Sequence, residues 1–90
     1  IRVPAPATKG GELILVVEDE EPVRKLVRVV LQRVGYRVVE AASGLQALEV
    51  WNQQGAKVDL LLTDLVMPDG MSGRELAERL RVLRPGLAIV

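Results

Sequence analysis

Histidine and cysteine are both absent from this chain of 90 residues. Without histidine there is no His-ligated zinc, no Ser-His-Asp or Cys-His catalysis, and no phosphohistidine donor. Without cysteine there are no disulfides, thiolate nucleophiles or Cys-metal sites. Phenylalanine is missing too, and Trp51 and Tyr36 are the only aromatics, so a base-stacking surface is not expected. Neither sign of charge predominates. The 12 Lys and Arg balance 12 Asp and Glu, which leaves no global field to draw in nucleic acid or an anionic membrane. No apolar run approaches the ~20 residues of a transmembrane helix, and no signal-peptide pattern opens the chain. The length suits a single, rather short domain. A soluble, cytoplasmic domain is expected, with no nucleic-acid or membrane contact. Its chemistry must come from carboxylates, hydroxyls, Lys, Arg and backbone.

Residues 1–11 read as a linker, and 12–90 as the domain proper. Pro4, Ala5, Pro6 and Ala7, followed by Gly10 and Gly11, cannot form a packed element. Leu13 to Val17 (LILVV) is a short apolar run rich in β-branched residues, which reads as a strand buried on both faces. Glu18, Asp19, Glu20 and Glu21 follow at once, and Pro22 suits the first turn of a helix. Val23, Leu26, Val27, Val30, Leu31 and Val34 then recur on one helical face, which Gly35 ends. Arg24, Lys25, Arg28 and Arg33 read as the solvated side of that helix. Tyr36 to Ala41 looks like a second strand. Ser43 is a natural N-cap for a helix over 44–54 with Leu45, Leu48 and Trp51 inward, ended by Gly55. Val58 to Thr63 (VDLLLT) is a third buried strand, with Asp64 at its carboxyl end. Met67, Pro68, Asp69 and Gly70 form a loop. Ser72 caps a third helix with Leu76, Ala77, Leu80 and Leu83 inward. Pro85 and Gly86 break it, and Leu87 to Val90 begins a fourth strand.

The order β-α-β-α-β-α-β predicts an α/β fold: a doubly wound parallel sheet with right-handed crossovers and helices on both faces. In such sheets functional groups gather outside the carboxyl ends of the strands. The first strand delivers Glu18 and Asp19 to that edge, and the third delivers Asp64. Adjacent parallel strands lie about 4.8 Å apart. If strands one and three are neighbours, three carboxylates converge and repel, and a bound divalent cation resolves the conflict. Oxygen-only donors favour Mg²⁺, with Mn²⁺ as the alternative. The loop after Asp64 can add a backbone carbonyl. Each acid alone also fits a plainer role as a cap or helix-dipole partner. Glu20 and Glu21 read better as first-turn charges than as ligands. With a metal beside it, Asp64 could act as a nucleophile and form an acyl phosphate. The added charge would bias a neighbouring element, as a switch input does.

ILVVEDEE, the helix ending in Gly35-Tyr36, and LLLTDLVMPDGMSGRELA together resemble the receiver domain of two-component response regulators, from about Leu13 to Val90. The resemblance implies a flavodoxin-like fold with sheet order 2-1-3-4-5. It implies that Asp64 is the phosphoacceptor, Asp19 the direct metal ligand, Glu18 the acid acting through water, and the Val66 carbonyl the backbone ligand. Met67 and Pro68 match the loop beside the phosphorylation site. Glu18 stands where the family often has Asp. The implied partner is a histidine kinase or a histidine phosphotransfer protein, and the domain is an acceptor, not an enzyme.

The family has five strands and five helices. The resemblance therefore also expects a Thr or Ser just past strand four, and a Lys and an aromatic on strand five. None of these positions exists in the 90 residues, and Lys9, Lys25 and Lys57 do not match the Lys. Strand four would then be an apolar edge through which copies could associate. Three accounts are open: a longer chain, a true fragment that pairs or swaps, and a receiver-like scaffold that no longer switches. The linker at 1–11 suggests the receiver of a hybrid sensor kinase. An aspartyl-nucleophile phosphatase is disfavoured, because those enzymes want Asp-x-Asp where this chain has Glu18, Asp19, Glu20. No Gly-rich loop follows any strand to hold a nucleotide.

Overall fold

The computed structural model describes residues 11–63 and 71–89. Its elements follow the expected order. Strand β1 (Leu13–Val17) leads to helix α1 (Glu21–Arg33), β2 (Arg37–Ala41) and α2 (Gly44–Gln54). A 3₁₀ turn (Gly55–Lys57) connects to β3 (Val58–Thr63), and α3 (Gly73–Leu83) and β4 (Ala88–Ile89) complete the series. The strands form one parallel sheet in the order β2-β1-β3-β4. The first and third strands are therefore neighbours, as convergence of their acids requires.

All five residues of β1 are buried, which is why its sequence is apolar without alternation. Leu13, Leu15 and Val17 point to a core shared with Ala47 of α2 and Leu76 and Leu80 of α3. Ile14 and Val16 point the other way, onto Val27 and Leu31 of α1. The helix ends have local causes. Ser43 and Ser72 each accept a bond from the backbone N–H three residues on, both at 3.1 Å, as expected for N-caps. Gly35 has φ +100 after α1, a conformation that other residues adopt only with strain.

Three inward assignments need correction. Leu26, Leu45 and Leu83 are 63%, 57% and 63% exposed. Each continues the apolar period of its helix but lies at the margin of the stripe, beyond what the sheet covers. In α2 the small residue Ala47, at 0% exposure, takes the central contact instead. Gly55 does follow α2, but with φ −56, so the helix tightens into the 3₁₀ turn without a left-handed residue. Glycine is needed there for space: a Cβ would lie 2.7 Å from the Trp51 ring. Trp51 itself is only half-buried.

Two polar clips fix strand placement. The register of β1 against β3 shifts between Leu13 and Ile14, skipping Asp59. The Asp59 carboxylate accepts the Leu13 N–H at 2.8 Å and replaces the missing ladder acceptor. Arg84, just past α3, donates to the carbonyls of Gly55 (2.8 Å) and Val58 while its guanidinium lies 5.5 Å from the Trp51 ring centroid. It thereby ties the end of α3 to the turn that launches β3.

Asp59→Ala should cost about 1.5–3 kcal/mol, the range for a hydrogen bond to a charged group, with Asp59→Asn losing less. Arg84→Lys, which keeps the charge but cannot span both carbonyls, should destabilise by about 1–2 kcal/mol. Denaturant titration of the variants measures both.

Candidate functional site

β1 and β3 end at the same level. Val17 is in register with Thr63, so Glu18 emerges at the edge to which β3 also runs. Asp64 follows Thr63 in sequence. Asp64, Val66, Met67 and Pro68 lie outside the described residues. Among the described residues no group of three acidic, His or Cys side chains is placed to hold a metal ion. The geometry on view is therefore that of Glu18 and Asp19.

Glu18 is 5% exposed, the one buried charged residue among those described. Its burial follows from the strand. The Glu18 N–H donates to the Ala41 carbonyl at 3.1 Å, which extends the β1–β2 pairing one residue past Val17. Its Oε2 accepts the Glu20 N–H at 3.3 Å. Its carbonyl accepts from Arg24 Nη1 at 2.9 Å. Asp19, one residue on, is exposed. A buried and an exposed carboxylate thus stand side by side at the strand end. Such all-oxygen donors fit a hard divalent cation.

Glu20 and Glu21 are exposed. Glu20 is the N-cap residue of α1 without a side-chain cap bond, and Glu21 is an acid of its first turn. Glu21 is a first-turn charge as expected, whereas Glu20 stands one position earlier, at the N-cap. Met71, two residues before α3, is buried in the α2–α3 core.

Sequence inspection missed the groups behind this turn. Arg24 and Arg28, assigned to solvent, converge on Glu40 of β2. Arg24 Nε lies 3.8 Å from Glu40 Oε1, and Arg28 Nη1 lies 3.5 Å from Oε2. With Glu21 and Lys25 they line a polar groove of about 270 Å³. A signal existed. Glu40 is paired with Val16 and falls on the α1 face of β2 beside Val38, an acid where the alternation asks for an apolar residue. Two arginines at i and i+4 on the facing helix complete it.

Residues 14–90 match the model of the response regulator receiver domain family. This chain belongs to that family, and it is a receiver domain of two-component phosphorelay signalling with a flavodoxin-like fold. Among curated relatives, the sensor kinase CckA of Brucella abortus is 42% identical over 81 residues, 90% of this chain and 8% of that protein. The sporulation initiation phosphotransferase F of Bacillus subtilis is 35% identical over 80 residues, 89% of this chain and 62% of its own length. The chain thus spans less than two thirds of either. Among solved structures, the response regulator TrrA of Thermotoga maritima bound to Mg²⁺-BeF superposes with TM-score 0.79 at 36% identity, over 87% of this chain and 65% of that one. TrrA in complex with the histidine kinase ThkA gives TM-score 0.77 at the same identity and coverage. The receiver of the hybrid histidine kinase CckA gives TM-score 0.73 at 32% identity, over 87% of this chain and 82% of that one.

Exposure separates structural from functional cost at the two acids. Asp19→Asn should leave stability without metal within about 0.5 kcal/mol of wild type. Glu18→Ala should cost about 1–3 kcal/mol, because the Glu20 N–H loses its acceptor and a void opens under the turn. Thermal melts in chelator report both.

Proposed function

We propose that this receiver accepts a phosphoryl group on Asp64 from the phosphohistidine of a histidine kinase or a histidine phosphotransfer protein. An Asp64 carboxylate oxygen attacks phosphorus, the phosphorus–nitrogen bond breaks, and the departing imidazole nitrogen keeps the electron pair. The site residues follow from the receiver pattern. Asp19 and Asp64 would hold the divalent cation directly, Glu18 would act through water, and the Val66 carbonyl would add a backbone oxygen. Met67 and Pro68 shape the loop alongside. When bound, Mg²⁺ or Mn²⁺ neutralises phosphoryl oxygens as the new bond forms.

The observation that carries this reading is the register of Val17 with Thr63, which brings the Glu18-Asp19 strand end and the end of β3 to one edge. The Mg²⁺-BeF complex of TrrA supports the metal, and the ThkA–TrrA complex supports the partner. Residues 1–11 serve as a linker and 12–90 as the receiver, an acceptor and not an enzyme. The same reading carries a cytoplasmic location. No described helix is long and apolar enough to cross a membrane. It also carries no nucleic-acid or membrane contact by this domain, and self-association at β4, the edge of the described sheet. The parent protein is a hybrid sensor kinase in this reading, a context supported by likeness to CckA.

Intact mass spectrometry tests the core of it. Incubation with Mg²⁺ and a small acyl phosphate should add one phosphoryl group. Chelator, Asp64→Asn and Asp19→Asn should each abolish the gain. A gain that survives Asp64→Asn would sink the assignment.

A further inference from the structure

The three peptide planes that run through Glu18, Asp19 and Glu20 are each held by a hydrogen bond. The plane before Glu18 is held by its N–H on the Ala41 carbonyl, at 3.1 Å. The plane between Asp19 and Glu20 is held by the Glu20 N–H on Glu18 Oε2, at 3.3 Å. The plane between Glu18 and Asp19 is held by Arg24 Nη1 on the Glu18 carbonyl, at 2.9 Å. That middle plane sets ψ of Glu18 and φ of Asp19, and so the directions in which both carboxylates leave the strand. The side chain that holds it is brought from α1.

Arg24 is itself held. Its side chain is 18% exposed, and its Nε faces Glu40 Oε1 at 3.8 Å. Glu40 in turn engages Arg28 at 3.5 Å. Ion pairs of this length between partly exposed side chains contribute at most about 1 kcal/mol each, so stability alone does not account for the pairing of Arg24 with Glu40. Geometry does, because the pair aims a planar fork at one carbonyl oxygen. The charge of Arg24 works against a cation at the turn, and Glu40 offsets it while leaving the donor in place.

We propose that Arg24, oriented by Glu40, is a positioning residue for the cation-binding turn, holding the peptide between Glu18 and Asp19 so that both carboxylates face a divalent ion. This rests on the metal reading given above. Removing a charge and removing a clamp have opposite signs here, which makes the test decisive. If Arg24 acts only as a nearby positive charge, Arg24→Gln tightens Mg²⁺ binding and Arg24→Lys leaves it unchanged. If Arg24 positions the turn, both variants weaken it, by about 10-fold or more on the scale of outer-shell metal partners.

Isothermal titration of MgCl₂ into the purified protein reads the affinity, and amide shifts of Glu18, Asp19 and Glu20 read the turn. Arg28→Gln, which touches Glu40 but not the Glu18 carbonyl, should bind as wild type or tighter. Weaker binding in both Arg24 variants, titrated well below the melting temperature of each, supports the proposal. Wild-type or tighter binding in Arg24→Lys overturns it, and that variant decides alone should Arg24→Gln not fold. The two readings fail separately. If wild type binds Mg²⁺ and Asp19→Asn does not, while the Arg24 variants bind normally, only the positioning role is lost. If wild type shows no Mg²⁺ binding, both are lost.

Discussion

The structure depends on one strand. β1 lies between β2 and β3 and between the α1 layer and the α2–α3 layer, so every side chain in it is buried. Emptying such a position costs about 2–5 kcal/mol, whereas the ion pairs of the surface are worth under about 1 kcal/mol each. The centre of the sheet therefore fixes where everything else sits, and the charged network adapts to it. The functional edge inherits its position from the same strand. Where β1 stops, its last pairing to Ala41 draws Glu18 into the protein and leaves Asp19 at the surface.

In the proposed metal site, a buried carboxylate beside an exposed one would divide the work. The exposed acid can meet an ion without first being dehydrated by the fold. The buried one is restricted by its surroundings and presents a fixed oxygen set. The Arg24–Glu40–Arg28 cluster stands directly behind this pair, on the α1 side. It supplies direction to the turn, with the Glu40 carboxylate set against the Arg24 guanidinium.

Much of the fold was legible because its signals are local. LILVV, the Ser43 and Ser72 caps and Pro22 each act within one turn or strand, and each falls where the sequence puts it. The apolar errors share a cause. Leu26, Leu45 and Leu83 obey helical spacing, but spacing measures an angle and not the width of the surface that covers it. Arg24 and Arg28 were misread because their partner Glu40 lies on another element, where the signal is an acid on the apolar face of β2.

By itself the sequence determined the element order, the parallel α/β class, and the delivery of Glu18 and Asp19 to a strand end, since periodicity, caps and glycines act over a few residues. Only the tertiary structure decided that β1 and β3 are neighbours with Val17 level with Thr63, that Asp59 fills a register shift, and that Glu18 is buried with Arg24 on its carbonyl. Those facts join residues far apart in the chain. They are set by which sheet edges meet and by which side chains the packed helices bring against them, and neither is encoded at any one position.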